Sequence, residues 1–337
     1  MGGDHGPSVT LPACKAFLDS HPDAELLLVG SPGALAPATD WPRCTLITAS
    51  QVVTMDDTVE TALRRKRDSS MRVAIEQLQA SESGAIAADV CVSAGNTGAL
   101  MAVSRYLLKT MDGIDRPAIA TFMPTIQDRF TCVLDLGANV DCSAEHLMQF
   151  AVMGSALVSA TEGRPEPVVG LLNIGEEMIK GSEVIKRAGE LLRAVASHGH
   201  LNYLGNVEGD DIFKGTTDIV VCDGFVGNVL IKTMEGTAAA VVNLLKEELT
   251  GSWRYKLPAL VLRGPFSRMK KKMSPDEYGG APLVGVNGVV IVSHGSSNAR
   301  AIAHAVRAAA KSVESGFVAA LREAASHEAD RPEPAHI

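Results

Sequence analysis

Residues 89–109 read DVCVSAGNTGALMAVSRYLLK, and this stretch carries the pattern on which the fold assignment rests. A short β-type run ends at Ser93, and a turn with two glycines follows it. A longer stretch begins at Ala99, with its apolar residues at helical spacing. Short apolar runs that end in a turn are typical of buried strands, and longer periodic runs are typical of helices. The sequence therefore predicts a strand, a tight turn and a helix.

The same order of strand, turn and helix recurs along most of the chain. The predicted strands are Glu25–Val29, Ala88–Ser93, Thr131–Leu136, Pro167–Asn173, Asn202–Gly205, Asp218–Cys222 and Gly288–Ser293. The predicted helices are Met71–Gln79, Ala99–Lys109, Ala144–Thr161, Glu183–Ala196, Asn228–Leu249 and Ala299–Ser312. Such repetition is typical of an α/β protein. We predict a three-layer α/β/α fold with a mainly parallel sheet, as one catalytic domain over residues 1–325, followed by a disordered polar tail over residues 326–337.

The composition limits the classes of function. Of 337 residues, 46% are hydrophobic, which is enough for a large core. Lysine and arginine total 31 against 39 acidic residues, so the formal net charge is −8. A chain with this charge is a poor general binder of nucleic acid, and we expect no nucleic acid partner. A bound anion must therefore be held by local groups.

The six cysteines give no sign of a metal or redox site. None of them forms a C-x-x-C pair, so zinc and thioredoxin-type sites are not favoured. Cys91, Cys132 and Cys222 lie in apolar runs, and we expect them to be reduced and buried. The sequence shows no signal peptide, and its apolar runs look too short or too interrupted to span a bilayer.

One segment interrupts the α/β pattern. Residues 253–273 read WRYKLPALVLRGPFSRMKKKM, with seven basic residues and no acidic one. Bulky apolar residues alternate with the charges, and proline and glycine break the run. We interpret it as a helical excursion from the main body, at about residues 250–277. Its candidate surface residues are Arg254, Lys256, Leu260, Arg263, Phe266, Arg268, Lys270, Lys271 and Lys272.

Four turns between a strand and a helix have the residues of a phosphate site. Ligands of open α/β sheets bind outside the carboxyl ends of the strands, where helix N-termini offer free N–H groups. The first turn is Ser93–Gly98, and the second is Asp135–Asn139. The third is Asp223–Asn228, with Lys214 shortly upstream. The fourth is Ser293–Asn298, which contains His294.

Each turn also has a purely structural interpretation. The first could be a plain capped turn, with Asn96 or Thr97 as the cap. Asp135 could orient a ligand or cap the next helix. Lys214 could bind phosphate or be a solvated surface lysine. His294 could act as an acid, a base or an anion ligand, or it could be a hydrogen-bonded structural histidine.

Taken together, these motifs resemble the phosphate acyltransferase family of bacterial phospholipid synthesis, in order and along most of the chain. The matching stretches are Met1–Pro7, Lys66–Met71, Ser93–Ala99, Asp135–Asn139, Gly205–Asp210, Asp223–Asn228, Tyr278–Gly285 and Ser293–Asn298. The family usually has a short strand and an aspartate just before Met-Gly-Gly-Asp. This chain begins at Met1, so we expect that strand to be absent.

The resemblance implies a fold like those of the isocitrate and isopropylmalate dehydrogenases and the phosphotransacetylases, usually as a homodimer. It implies transfer of a long-chain acyl group from acyl-[acyl carrier protein] to inorganic phosphate. The product, acyl phosphate, would serve a membrane glycerol-3-phosphate acyltransferase. No cofactor or metal is implied. The expected place is the cytoplasm, with peripheral attachment to an anionic membrane surface.

The roles of the site residues follow from this reaction. Phosphate is the nucleophile, so no acylated side chain is needed, in agreement with the lack of a G-x-S-x-G motif. Phosphate would be held by the first turn, through Ser93, Gly95, Asn96, Thr97 and Gly98. Lys214 would neutralise its charge. His294 would keep it nucleophilic or donate a proton. Asn139 and Asn228 would donate hydrogen bonds, and Asp223 would orient Lys214 or His294.

Several alternatives stay open at this point. The nearest is a short-chain phosphotransacetylase that uses acyl-CoA. A second is a dehydrogenase that uses NAD and a Mg²⁺ ion held by Asp135, Asp210, Asp211 and Asp223. A third is a scaffold without activity. The basic excursion could lie on an anionic membrane, dock the acidic carrier protein, or pack in a dimer.

Overall fold

The computed structural model of the chain describes residues 1–80, 87–251, 262, 264–269 and 280–329. Its strands are β1 (Leu26–Gly30), β2 (Cys44–Thr48), β3 (Val90–Ser93), β4 (Ala118–Pro124), β5 (Phe130–Leu134), β6 (Val168–Leu172), β7 (Asn202–Val207), β8 (Ile219–Val221), β9 (Ala281–Val284) and β10 (Val289–Val292). Its helices are α1 (Pro7–Ser20), α2 (Pro32–Leu35), α3 (Ser70–Glu76), α4 (Thr97–Leu108), α5 (Ala144–Glu162), α6 (Glu183–Ser197), α7 (Asp211–Lys214), α8 (Gly224–Gly251), α9 (Ala299–Glu314) and α10 (Phe317–Ala329).

Eight of these strands form one large sheet, in the order β3-β10-β9-β4-β5-β8-β6-β7, and β1 and β2 form a separate parallel pair. The pairs β3–β10, β5–β8, β8–β6 and β6–β7 are parallel. The strands β9 and β4 join the two parallel groups through antiparallel pairs. Consequently β3, β10 and β4 run one way, and the other five strands run the opposite way.

Helices cover both faces of this sheet. The strand β8 reads IVV and is completely buried, as expected for a strand with helices on either side. Its Ile219 and Val221 join a core with α5, α6, α9 and α10. Its Val220 points to the other face, into a core with α3, α4 and the inner side of α8. The three-layer α/β/α prediction is confirmed.

The predicted strands and helices are also confirmed, with shifted ends. All seven predicted strands overlap strands of the structure, and all six predicted helices overlap helices. The sequence analysis missed β2, β4 and β9, and therefore the antiparallel centre of the sheet. Helix α8 begins at Gly224, four residues before the predicted start. The tail prediction was wrong at its boundary, since residues 326–329 still belong to α10. Residues 330–337 lie outside the described residues.

Most of the predicted basic surface cannot be placed. Residues 264–269 are helical and include Phe266 and Arg268. The remaining members, Arg254, Lys256, Leu260, Arg263, Lys270, Lys271 and Lys272, lie outside the described residues.

Helix α8 corrects the expectation that no segment could span a bilayer. By length and composition, residues 224–249 would be long and apolar enough, and within the described part of the chain no second helix passes this test. Only 6% of the residues in its most apolar window are buried. Its exposed apolar side chains include Val229, Val241 and Leu244.

Candidate active site

A cleft of about 1050 Å³ lies on the face of the sheet beneath α8. One end is formed by the first turn of α4 and by the turn after β10, where Thr97 and His294 line it. From there it runs between α8 and the strands β4 and β5, towards Phe130 and Ala238. The cleft therefore has one end beside two of the predicted phosphate turns.

The first and fourth turns are adjacent because β3 and β10 are parallel neighbours. The backbone N–H of Ser293 donates to the carbonyl oxygen of Ser93 at 2.8 Å, which extends the strand pairing by one step. The buried hydroxyls of Ser293 and Ser297 are 3.0 Å apart. The hydroxyl of Ser93 accepts the N–H of Gly95 at 3.3 Å. These bonds fix the backbone of both turns.

The start of α4 leaves N–H groups near this end of the cleft. Asn96 caps the helix by accepting the N–H of Ala99 at 3.0 Å. Its amide nitrogen donates to the carbonyls of Met55 and Asp57 at 2.9 and 3.2 Å, so both ends of the side chain are engaged. The N–H groups of Thr97 and Gly98 lie in the first helical turn, where no carbonyl partner exists within the helix. The backbone of the first turn is thus better placed to hold an anion than the Asn96 side chain.

The N-terminal segment passes against both turns. The N–H of Asp4 donates to the carbonyl of Gly295 at 2.9 Å. A Cβ atom at Gly3 would lie 2.7 Å from the carbonyl oxygen of Ala94 and 3.0 Å from that of Gly295. Glycine is therefore needed at residue 3 for this close approach of three backbone segments.

His294 is held by neighbours on both of its ring nitrogens. Nδ1 lies 2.7 Å from the Ser296 hydroxyl, and Nε2 lies 3.2 Å from the ammonium nitrogen of Lys232. An ammonium group can only donate, so Nε2 is the acceptor in this contact. On the other side of the ring, the backbone N–H of Ser296 donates to Nδ1 at 3.2 Å, so each ring nitrogen has a donor facing it. His294 thus presents a proton-accepting nitrogen beside a cation.

Lys232 is a site residue that the sequence analysis missed. It lines the cleft, contacts His294 and forms an ion pair with Glu235 at 2.9 Å. A signal existed, since Lys232 follows the predicted site residue Asn228 by four positions and therefore shares its helix face. Asn228 also lines the cleft, beside Gly137.

Lys214 does not line this cleft, although the sequence analysis gave it the role of the phosphate cation. Its ammonium group forms ion pairs with Asp210 at 2.8 Å and with Asp211 at 3.2 Å. These carboxylates raise the pKa of Lys214. Asp223 accepts the N–H of Val226 at 2.8 Å, so it caps the first turn of α8. Within the described residues, Asp223 makes no hydrogen bond or ion pair with Lys214 or with His294.

The second turn is built around a buried carboxylate. Asp135 accepts the N–H groups of Ile119, Ala138 and Asn139 at 3.0, 3.1 and 2.6 Å. The side-chain amide of Asn139 also donates to it at 2.9 Å, and to the carbonyl of Pro117 at 2.7 Å. Burial raises the pKa of Asp135, while the four donors oppose that shift. Asn139 is buried in this network, so its amide is already used there.

The thiols have no part in the cleft. Cys91, Cys132 and Cys222 are free and buried, as predicted. Burial raises the pKa of the Cys91 thiol to about 12 and also raises that of Cys222. A thiol with such a pKa is a poor nucleophile near neutral pH. In the part of the chain that the structure describes, no three His, Cys, Asp or Glu side chains are grouped to hold a metal ion.

The fold is shared with known phosphotransacylases and with a dehydrogenase. The chain matches a phosphotransacetylase from Streptococcus pyogenes with a TM-score of 0.53 and 14% identity, over 90% of this chain and 98% of that one. It matches a putative 4-hydroxythreonine-4-phosphate dehydrogenase from Salmonella typhimurium with a TM-score of 0.53 and 12% identity, over 92% and 97% of the two chains. These similarities define the class of fold.

Closer relatives define the family. A family model described as "Fatty acid synthesis protein" matches residues 1–320. A phosphate acyltransferase from Delftia acidovorans is 60% identical over 309 residues, which cover 92% of this chain and 88% of the relative. A phosphate acyltransferase from an Acidovorax species is 57% identical over 329 residues, covering 98% and 94%. The chain belongs to the phosphate acyltransferase family, and it is an enzyme that transfers acyl groups to phosphate.

The two candidate cations can be separated by substitution. We expect Lys232→Met to raise the KM for inorganic phosphate by about tenfold or more, since a charge-assisted hydrogen bond contributes about 1.5–3 kcal/mol. Lys214→Met should leave that KM within about twofold, because Lys214 does not line the cleft and its loss removes no contact with phosphate. A tenfold change in KM would correspond to about 1.4 kcal/mol. Steady-state kinetics with varied phosphate measure both. A larger rise in Lys214→Met than in Lys232→Met would restore Lys214 as the phosphate cation.

Proposed function

We propose that this protein transfers a long-chain fatty acyl group from acyl-[acyl carrier protein] to inorganic phosphate, and that the acyl phosphate formed serves phospholipid synthesis. The observation that carries the proposal is the two-part character of the cleft. Its polar end fits phosphate, and the rest of its length is lined largely by apolar side chains, with Asp128 and Arg129 among the charged residues that also line it. A site for acetyl groups alone has no need of the second part.

The polar end supplies the groups that a bound phosphate requires. Lys232 provides a positive charge, and Asn228 and Ser296 provide hydrogen-bond donors. The first turn of α4 adds backbone N–H groups and the positive end of the helix dipole at Thr97. His294 provides an acceptor for a phosphate proton through Nε2. The net charge of the chain is unfavourable for anions, so this local arrangement must outweigh it.

The largely apolar part of the cleft supports a hydrocarbon chain as its occupant. Its walls include Phe122 and Phe130 from the sheet side, Phe213 from α7, and Ile231 and Met234 from α8. From Asn228 to Ala238 the groove follows ten residues of α8, or about 15 Å at 1.5 Å per residue. Burying a methylene group contributes about 0.8 kcal/mol, so a long chain gains far more here than an acetyl group.

The proposed reaction balances with these groups. An oxygen of phosphate forms a bond to the carbonyl carbon of the thioester, and its proton passes to Nε2 of His294. The tetrahedral intermediate collapses as the carbon–sulfur bond breaks. The thiolate leaves with the electron pair and takes a proton, either from the imidazolium of His294 or from water. A thiol has a pKa of about 8.5, so its thiolate leaves without a strong acid. The main tasks of the protein are positioning and charge neutralisation.

Hydroxylamine trapping tests the donor directly. We expect hydroxamate to form from palmitoyl-[acyl carrier protein] faster when enzyme and phosphate are both present than when either is left out, because acyl phosphate reacts with hydroxylamine more rapidly than the thioester does. His294→Ala should lower the rate by about tenfold or more, as expected for loss of a proton-accepting group.

Acetyl-CoA is the control donor for the short-chain alternative. Phosphate-dependent hydroxamate from acetyl-CoA, with no phosphate-dependent hydroxamate from the palmitoyl carrier protein, would overturn the long-chain proposal. The remaining activity would then be that of a short-chain phosphotransacetylase.

The length of the groove can be tested at its far end. Ala238 lines the cleft, whereas the next residue, Ala239, is exposed and does not line it. We expect Ala238→Trp to lower kcat/KM for a palmitoyl donor by about tenfold, because overpacking costs about 1–3 kcal/mol. An octanoyl donor should be affected much less, and Ala239→Trp should leave both unchanged. An equal loss for both chain lengths in Ala238→Trp would show that the groove does not hold the chain end.

We further propose that the protein is a cytoplasmic homodimer that binds an anionic membrane surface peripherally. There it would hand acyl phosphate to a membrane glycerol-3-phosphate acyltransferase. The long exposed helix α8 and the seven basic residues that follow it support this proposal.

Two solution measurements test this second proposal. In analytical ultracentrifugation we expect twice the 35.4 kDa mass of the chain. In co-sedimentation we expect binding to vesicles that contain anionic lipid, and weak binding to neutral vesicles. A monomer would contradict the dimer, and equal binding to both vesicles would contradict the electrostatic attachment.

A further inference from the structure

A second cavity, of about 480 Å³, lies beside the C-terminal half of α4. Its apolar lining comes from Leu63, Met101, Ala102 and Pro117. Its charged lining consists of Arg105 and Lys109, and no acidic side chain lines it. None of the roles assigned above uses these residues.

An exposed tyrosine stands among cations at the edge of this cavity. Tyr106 is 56% exposed, which is unusual for an aromatic residue in a chain with only 4% aromatics. The Lys109 ammonium lies 5.1 Å from the centre of its ring, and the Arg72 guanidinium lies 5.6 Å from it. Such cation–π contacts hold the ring and both cations in place. We call Arg72, Arg105, Tyr106 and Lys109 the α4 basic surface.

The acidic groups near this surface are already engaged or peripheral. Glu76 forms an ion pair with Arg72 at 2.8 Å. Asp115 contributes its backbone carbonyl to Arg105 and accepts the side-chain amide of Gln149 on its carboxylate. Asp112 is exposed on the loop after the cavity residue Thr110. Arg105 and Lys109 make no ion pair within the described residues. The surface is therefore locally positive on a chain whose net charge is −8.

The cavity and the active-site cleft share two elements. On α4, Thr97 lines the cleft, and Met101, one helical turn later, lines the cavity. In the second turn, Gly137 lines the cleft and Asn139 lines the cavity. From Thr97 to Lys109 the helix rises by about 18 Å at 1.5 Å per residue. A partner on the α4 basic surface is thus one helix length away from the reacting groups.

We propose that the α4 basic surface docks the acyl carrier protein, so that the thioester-bearing arm of the carrier reaches the cleft along α4. This inference rests on the proposed function, because it requires an acyl carrier protein as the donor. The chemistry that it recognises is an acidic protein surface. Positive charge on Arg105 and Lys109 attracts that surface, and the cavity receives an apolar side chain or the base of the arm. Tyr106 is a rigid aromatic anchor of the kind enriched at protein interfaces.

Charge reversal at this surface tests the proposal. The variant is Arg105→Glu with Lys109→Glu. The matched control is Lys186→Glu with Arg187→Glu on α6, which changes the net charge by the same amount. We expect the KM for palmitoyl-[acyl carrier protein] to rise by about tenfold or more in the variant and by less than about twofold in the control, since charges at an interface govern encounter with the partner. High salt should reduce the difference, because it screens exposed charges.

A carrier-free donor separates this proposal from the proposed function. With palmitoyl-pantetheine, the α4 variant should keep the wild-type kcat and KM, which also shows that it is folded. Direct binding of the carrier protein to the immobilised enzyme should weaken in the α4 variant alone. If wild type makes acyl phosphate from the carrier donor and the α4 variant has the same KM, the docking site is overturned while the function stands. If wild type makes none from the carrier donor, both are overturned.

The same variants also distinguish two other possible partners of this surface, an anionic membrane and a second copy of the chain. Loss of binding to anionic vesicles, with unchanged carrier protein binding, would overturn the proposal in favour of a membrane contact. Loss of dimer mass in the α4 variant, with unchanged carrier protein binding, would overturn it in favour of contact with a second copy. Unchanged vesicle binding and mass, with weakened carrier binding, is the expected result.

Discussion

The buried carboxylate of Asp135 is the constraint on which the cleft depends. It ties β4, through the N–H of Ile119, to the turn that follows β5. Taking a carboxylate out of water costs several kcal/mol, and hydrogen bonds to a charged acceptor return about 1.5–3 kcal/mol each. The four donors therefore offset much of the cost, but the raised pKa shows that burial has the larger effect. Loss of any one of these donors would leave part of a buried carboxylate without a hydrogen-bond partner.

This network also seats α8. The N–H of Gly224 donates to the carbonyl of Asn139 at 2.8 Å, and a Cβ atom at Gly227 would overlap the backbone oxygen of Asp135. Glycine at residue 227 thus lets the helix rest directly on the turn. The position of Asn228 and Lys232 over the sheet follows from this contact. Asp135 therefore influences the site by positioning α8, and it does not need to contact the substrate.

The sequence analysis assumed that ligands bind where the carboxyl ends of parallel strands meet. The mixed sheet explains why this assumption could not place all four turns correctly. The first and fourth turns follow β3 and β10, whereas the second and third follow β5 and β8, which run the opposite way. The carboxyl ends of β3 and β10 therefore point in the opposite direction from those of β5 and β8. Helix α8 crosses the face between them and brings Lys232 to His294. The sequence predicted the strands and named His294 and Asn228 as candidates, but the crossing depends on β4 and β9, which it did not predict.

Local sequence patterns could not decide whether Lys214 or Lys232 is the cation of the phosphate site. Lys214 follows Asp210 and Asp211 by four and three positions, which is the spacing of ion pairs on a helix. That spacing agrees with the ion pairs that Lys214 forms in α7. Lys232 has an acidic neighbour at the same kind of spacing, Glu235, and forms the same kind of pair. Helical spacing alone therefore favours neither lysine, and the tertiary position of α8 decides.

The position of Lys232 also suggests how a bound phosphate could be activated as the nucleophile. Its ion pair with Glu235 is half-exposed, and pairs of that kind contribute little to stability. An anion at this end of the cleft can therefore compete for the ammonium group at small cost. Once Lys232 turns to the anion, Nε2 of His294 loses its donor and becomes available to the phosphate proton. In the proposed reaction, neutralising the nucleophile and freeing its base are then a single event, because both depend on one lysine.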